Sequence, residues 1–141
     1  MIHKYLFCNN CEKRLAEHLV QVYPNEGCGI LLGRDDRIEK IKPAENLVTD
    51  GNGRTHFMID PLTIYKEETK AKKERLEVLG FYHSHPDKRA VLSKTDEEYM
   101  IPDMLYIIAA VSLGTVREIR AYYRNAPDGS IKETEIAKEE I

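Results

Sequence analysis

Leu15, Ala16, Leu19, Val20 and Tyr23 recur at helical spacing and gather on one face, which predicts an amphipathic helix from Cys11 to Tyr23. Asn10 is its candidate N-cap. Pro24 ends it, because proline disfavours helical backbone in the residue before it. The pattern then changes. Gly29-Ile-Leu-Leu-Gly33 is a short unbroken apolar run, as in a buried strand, and Asp35-Asp36 reads as a turn into a second strand around Ile38 to Ile41. Asp50-Gly-Asn-Gly-Arg54 reads as a loop, and His56 to Ile59 as a short strand. Asp60-Pro61 opens a charged surface helix, with an acid at the N-cap and proline at the first helical position, running to about Val78. Val78 to Tyr82 is apolar and leads into His83-Ser84-His85-Pro86. A short helix is predicted from Ser93. Leu105 to Val111, Val116 to Tyr123 and Ile131 to Ile136 complete the strands, the last two joined by a turn at Asp128-Gly129. No repeat or linker interrupts the pattern, so residues 1–141 read as a single mixed α/β (α+β) domain.

Composition narrows the class. A chain of 141 residues with 42% apolar and 32% charged side chains is an ordinary globular composition. A net charge of −3 lacks the basic face of a nucleic-acid binder. The longest apolar stretch, Leu105 to Val111, is too short to span a bilayer, and the first residues lack the apolar core of a signal peptide. A cytoplasmic protein with Cys8, Cys11 and Cys28 as reduced thiols is therefore expected. Cys8-x-x-Cys11 has no second CxxC to complete a zinc ribbon and no thioredoxin-like context, so it reads as two thiols at a helix start. Cys28 reads as a small buried residue. His3, His18 and His56 read as structural or surface residues.

The remaining histidines carry chemistry. On a strand, His83 and His85 point to the same face, and Pro86 stops the strand beside them. Six residues later comes Ser93-x-x-Asp96. This is a helix-capping box, and it is equally a rigid way to aim a carboxylate at two imidazoles. Two histidines and one carboxylate make a three-ligand catalytic zinc site with a position left for water. A general base is then needed, and Glu26, in Pro24-Asn-Glu-Gly-Cys-Gly29, is the candidate. The nearby glycines let that backbone approach other elements closely.

The whole pattern, Glu26 … His83-Ser84-His85-Pro86 … Ser93-x-x-Asp96, resembles the JAMM motif of the MPN domain superfamily. Pro24-Asn-Glu-Gly-Cys-Gly-Ile-Leu-Leu-Gly33 resembles the glutamate-bearing segment of small prokaryotic JAMM proteins. His56-Phe-Met-Ile-Asp-Pro61 resembles the segment before their second helix. The likeness runs from about Tyr23 to Tyr123. It implies a central curved, mostly antiparallel sheet flanked by helices, and one Zn2+ per chain held by His83, His85 and Asp96. It also implies Glu26 as acid/base and Ser93 as a donor to the oxyanion.

The resemblance further implies a metallopeptidase acting at the C-terminal Gly-Gly tail of a small ubiquitin-fold sulfur carrier of the ThiS/MoaD type. Such a chain would be a monomer or weak homodimer with no nucleic-acid or membrane partner. A Gly-Gly tail, lacking Cβ atoms, suits a narrow channel to a metal and could also add as an extended strand to a sheet edge. Two other readings stay open at this point: an isopeptidase for another ubiquitin-like protein, and a non-catalytic MPN scaffold.

Overall fold

A computed structural model describes residues 4–48 and 57–139. The first apolar stripe forms α1 (Cys11–Val22), which buries Cys11, Leu15 and Leu19. The helix touches β3 (Arg37–Ala44), β5 (Leu105–Ser112) and β6 (Thr115–Arg124). Because β3 is remote from β5 and β6 in the sheet order, the helix fills the concave face. The remaining strands are β1 (Lys4–Phe7), β2 (Cys28–Arg34), β4 (Glu77–Pro86) and β7 (Ile131–Lys138). Among the described residues they close a barrel in the order β1-β3-β2-β4-β5-β6-β7.

Alternation along the strands splits the core in two. Leu31, Tyr82, Leu105, Ile107 and Ala109 pack with α1 on the inner face. Ile30, Leu32, Phe81, Ile108 and Ala110 face outward into a second cluster with Ile59, Ala71, Leu76 and Met100. Both faces of β2 and β5 are therefore buried, which explains why their sequences are apolar runs rather than alternating ones. Ala71 belongs to α2 (Pro61–Lys73), whose N-cap Asp60 accepts a hydrogen bond from the Leu62 amide. The short α3 (Lys94–Tyr99) follows the turn after β4.

Four expectations change. The curved sheet closes further than expected, into a barrel, because β1, too short to show a period, pairs in parallel with β7 from Lys4↔Glu135 to Phe7↔Lys138 and with β3 at Leu6↔Arg37. β4 and β5 are also parallel, so antiparallel pairing is confined to β2–β3, β2–β4, β5–β6 and β6–β7. The helix expected to reach Val78 stops at Lys73, with Arg75 in a left-handed turn (φ 62°) before β4. Asn10 stands at the N-cap of α1 but is itself left-handed (φ 64°) and makes no side-chain cap. Of the strand expected over His56–Ile59, residues 57–59 lie in no strand. His56, His3 and the Asp50–Arg54 loop lie outside the described residues.

Cys8, Cys11 and Cys28 are free and buried. Burial pushes the Cys11 thiol up to about 11 and that of Cys28 to about 12, so neither is a thiolate nucleophile. His18, beside the inner core, shares a hydrogen bond of 2.9 Å with the Tyr82 hydroxyl. No helix among the described residues is long and apolar enough to cross a membrane.

Candidate metal centre

β4 carries His83 and His85 on its outward face, both buried. Register then delivers Glu26. Cys28 pairs with His83 across β2 and β4. The bond pattern continues one step further: Ser84 donates its amide to the Gly27 carbonyl (3.0 Å), and its hydroxyl oxygen accepts the Gly27 amide (2.8 Å). The serine between the two histidines thus docks the loop that bears Glu26. A Cβ on Gly27 would meet Val22 Cγ2 at 2.6 Å and Leu19 Cδ2 at 2.7 Å, so α1 side chains would have to shift to admit any other residue.

Asp96 arrives by capping. Ser93 Oγ accepts the Asp96 amide (3.0 Å) and Asp96 Oδ2 accepts the Ser93 amide (2.9 Å), a complete capping box. That geometry turns the carboxylate onto the histidines. Asp96 Oδ1 lies 3.1 Å from His83 Nε2, and Oδ2 lies 3.0 Å from His85 Nε2. The two Nε2 atoms are 3.3 Å apart, and Glu26 Oε1 is 3.8 Å from His83 Nε2. One ligand atom from each of Glu26, His83, His85 and Asp96 lies within 4.8 Å of the others. His85 Nδ1 donates to the Arg89 carbonyl (2.9 Å), which fixes the ring with Nε2 turned to the shared centre. Buried imidazole nitrogens and carboxylate oxygens converging on one point fit a small divalent cation.

The electrostatics separate the four groups. Burial raises the Glu26 carboxyl to about 8; the neighbouring Asp96 adds to this, and His85 and Lys88 oppose it. Burial also acts on Asp96, but hydrogen bonds from His83 and His85 outweigh it and hold that carboxyl well below the usual carboxylate range. Burial lowers His83 despite Asp96. At His85, burial is outweighed by the Asp96 and Arg89 hydrogen bonds, and the net shift is upward.

A groove of about 240 Å³ runs from the centre, walled by Phe57, Ile59, Phe81, Leu92 and Tyr106, with Glu26, His83 and Asp96 at its head. Its rim includes Met58, Tyr99 and Ile101, all at least half exposed. On the other side of Glu26 and His85 a second depression is lined by Lys88, Arg89 and Ser93. Ser93 is exposed there, beside the centre rather than within it.

A profile described as "Prokaryotic homologs of the JAB domain" matches residues 9–124. The chain belongs to this family. The JAB-domain chain is 34% identical over 79 residues to a probable TtuB-protein conjugate cleaving protease of Thermus thermophilus, a match covering 56% of this chain and 51% of that protein. It is 37% identical over 60 residues to a desampylase of Pyrococcus furiosus, covering 43% of this chain and 41% of the relative. The chain thus spans about half the length of these curated relatives. A solution structure of a Desulfitobacterium hafniense protein superposes with a TM-score of 0.83 at 26% identity, covering 97% of this chain and 94% of the other.

Several residues shape the JAB centre in ways the sequence does not announce. Phe57 stacks on His83, ring centroids 4.5 Å apart. Asn46 donates to the Glu26 carbonyl (3.1 Å) and accepts the Met58 amide (3.1 Å), joining the loop that bears Glu26 to the groove wall. Arg89 acts through its backbone carbonyl, which any residue possesses. Ser84 lies inside the motif and was visible only as a spacer.

Proposed function

We propose that this JAB-domain protein is a zinc peptidase. It cleaves a peptide or isopeptide bond at the C-terminal Gly-Gly tail of a small ubiquitin-fold protein, of the ThiS/MoaD sulfur-carrier type. The observation that carries this reading is the convergence of Glu26, His83, His85 and Asp96 at the head of an apolar groove. His83, His85 and Asp96 would hold one Zn2+ per chain. Zinc bound there supplies Lewis acidity, polarising an oxygen ligand and making water a nucleophile near neutral pH.

The protein's own groups do the rest. Glu26, buried beside His83, takes a proton from water and hands it to the leaving nitrogen. Ser93 Oγ accepts the Asp96 amide, which leaves its hydroxyl hydrogen to donate to the oxyanion developing on the scissile carbonyl. Residues 57–59, which lie in no strand, form one wall of the groove and offer backbone for a tail to lie along. A tail without Cβ atoms passes closest to the centre there. By their names, the relatives cleave protein conjugates, which supports a protein tail as substrate. Three free, buried cysteines fit a reducing cytoplasmic compartment.

The test is incubation of the zinc-loaded protein with a ThiS/MoaD-type carrier extended beyond its Gly-Gly tail, followed by intact-mass spectrometry. The expected product is the carrier ending in Gly-Gly, lost on chelation and restored by zinc. A zinc-loaded protein that leaves extended carriers and other ubiquitin-like conjugates intact overturns the peptidase reading.

A further inference from the structure

We propose that Glu118 and Tyr122 on β6 are positioning residues that set the orientation of His85. This rests on the reading of His85 as a metal ligand. The two residues lie far from His85 in sequence but close in register. His85 pairs with Ala110 on β5, and Ala110 pairs with Glu118 on β6, so the three form one row across the barrel wall. Tyr122 and Arg120 share that face by alternation. The small Ala110 side chain leaves room for the turn after β4 to fold back over the row.

That turn is fastened at both ends. At its start the Asp87 amide donates to the Val111 carbonyl (2.8 Å). At its far end Glu118 Oε1 accepts the Ala90 amide (3.0 Å), and Oε2 accepts Arg89 Nη2 (2.9 Å). Arg120 Nε donates to the same Oε2 (3.0 Å) and fixes the carboxylate from behind. The Tyr122 hydroxyl donates to the Ala90 carbonyl (2.8 Å) in a buried bond. Between these fastenings lies the Arg89 carbonyl, the group that accepts from His85 Nδ1. Exposed ion pairs are worth little, but Glu118 is only 22% exposed and binds a backbone amide and two guanidinium groups together. Loosening it frees the carbonyl that holds the imidazole, and outer groups of this kind typically change metal affinity by about 10–100-fold.

The experiment measures zinc affinity by competition with a chromophoric chelator for Tyr122→Phe and Glu118→Gln, each alone and in the His85→Ala background, and for His85→Ala alone. Melting temperatures of the metal-free proteins run alongside. The expected result is a loss of about 10-fold or more in zinc affinity for each single β6 variant. Neither should have any further effect in the His85→Ala background, because the coupling acts through that ring. Tyr122→Phe removes one hydroxyl and keeps the ring, so it serves if Glu118→Gln fails to fold. If the folded β6 variants bind zinc within twofold of wild type while His85→Ala loses it, the inference is overturned and His85 remains a ligand. If the β6 variants weaken zinc equally with and without His85, their effect is general and the inference is also overturned. If His85→Ala itself binds zinc like wild type, the failure lies in the ligand assignment on which the inference depends.

Discussion

His83 and His85 stand two residues apart on one strand face, yet they are held by opposite means. His85 sits on a polar flank, its Nδ1 donating to a carbonyl fixed by a carboxylate, a tyrosine and two arginines. His83 sits on an apolar flank, stacked on Phe57, with a buried Nδ1 that has no hydrogen-bond partner among the described residues. One imidazole is aimed by directional bonds and the other by packing. Directional bonds specify orientation sharply and fail when one partner is lost. Packing specifies it loosely and fails gradually. The same residue type in one motif therefore predicts different sensitivities on its two sides.

The largest effect is expected at Glu26, which both flanks share. Glu26→Gln is nearly isosteric, so fold and zinc content should survive while single-turnover cleavage falls by about 10²–10⁴-fold or more. Zinc analysis and cleavage on the same sample check this. Loss of zinc would make Glu26 a ligand, and wild-type cleavage would place the base elsewhere.

Ser93→Ala probes the polar flank. Turnover should fall by about 10²–10³-fold if the hydroxyl serves the oxyanion. Loss of the cap costs about 1 kcal/mol of stability. Comparing kcat with the melting temperature separates the two roles, and an unchanged kcat with a lowered melting temperature leaves the cap alone.

Removing the metal exposes the cost of burying Glu26. Its folded pKa of about 8 lies above the ordinary 4.5, so the folded state binds the proton more tightly. Stability from this group is complete below about pH 4.5 and is lost as pH rises through about 8. Glutamine does not titrate. In chelator, Glu26→Gln should therefore gain stability over wild type as pH rises between those limits, by up to about 1.4 kcal/mol per pH unit. Thermal melts across pH test this, and a constant difference would mean that the carboxyl is not desolvated.

Phe57→Ala gives the smallest expected effect and breaks the apolar flank. An aromatic pair contributes about 0.5–1.5 kcal/mol, which is roughly 2–12-fold in zinc affinity. If Phe57→Ala weakens zinc more than Tyr122→Phe does, packing rather than hydrogen bonding governs the centre and the contrast between the flanks is reversed.

Much of this site was legible because its parts lie in three short segments with local rules. Strand alternation puts His83 and His85 together, Pro86 marks the strand end, and Ser93-x-x-Asp96 shows its capping box. Glu26 was legible only through resemblance, since nothing local distinguishes it from a solvated loop carboxylate. The apolar runs at Gly29–Gly33 and Leu105–Val111 announced β2 and β5. β1 was missed because four residues show no period, and with it went the closure of the barrel. α2 was extended too far because its charged pattern continues past Lys73, where a left-handed Arg75 ends it. Glu118 and Tyr122 were unreadable because their partner is a turn about thirty residues away, brought near only by the parallel pairing of β4 and β5.

That pairing has a twin at the seam of the barrel. β1 and β7 run in parallel from Lys4↔Glu135 to Phe7↔Lys138. A force drawing the start of β1 away from the end of β7 slides the two strands past each other. Their hydrogen bonds then bear load together rather than opening one after another. The seam is placed in shear, so a pull applied through β1 and β7 must break its four register pairs together.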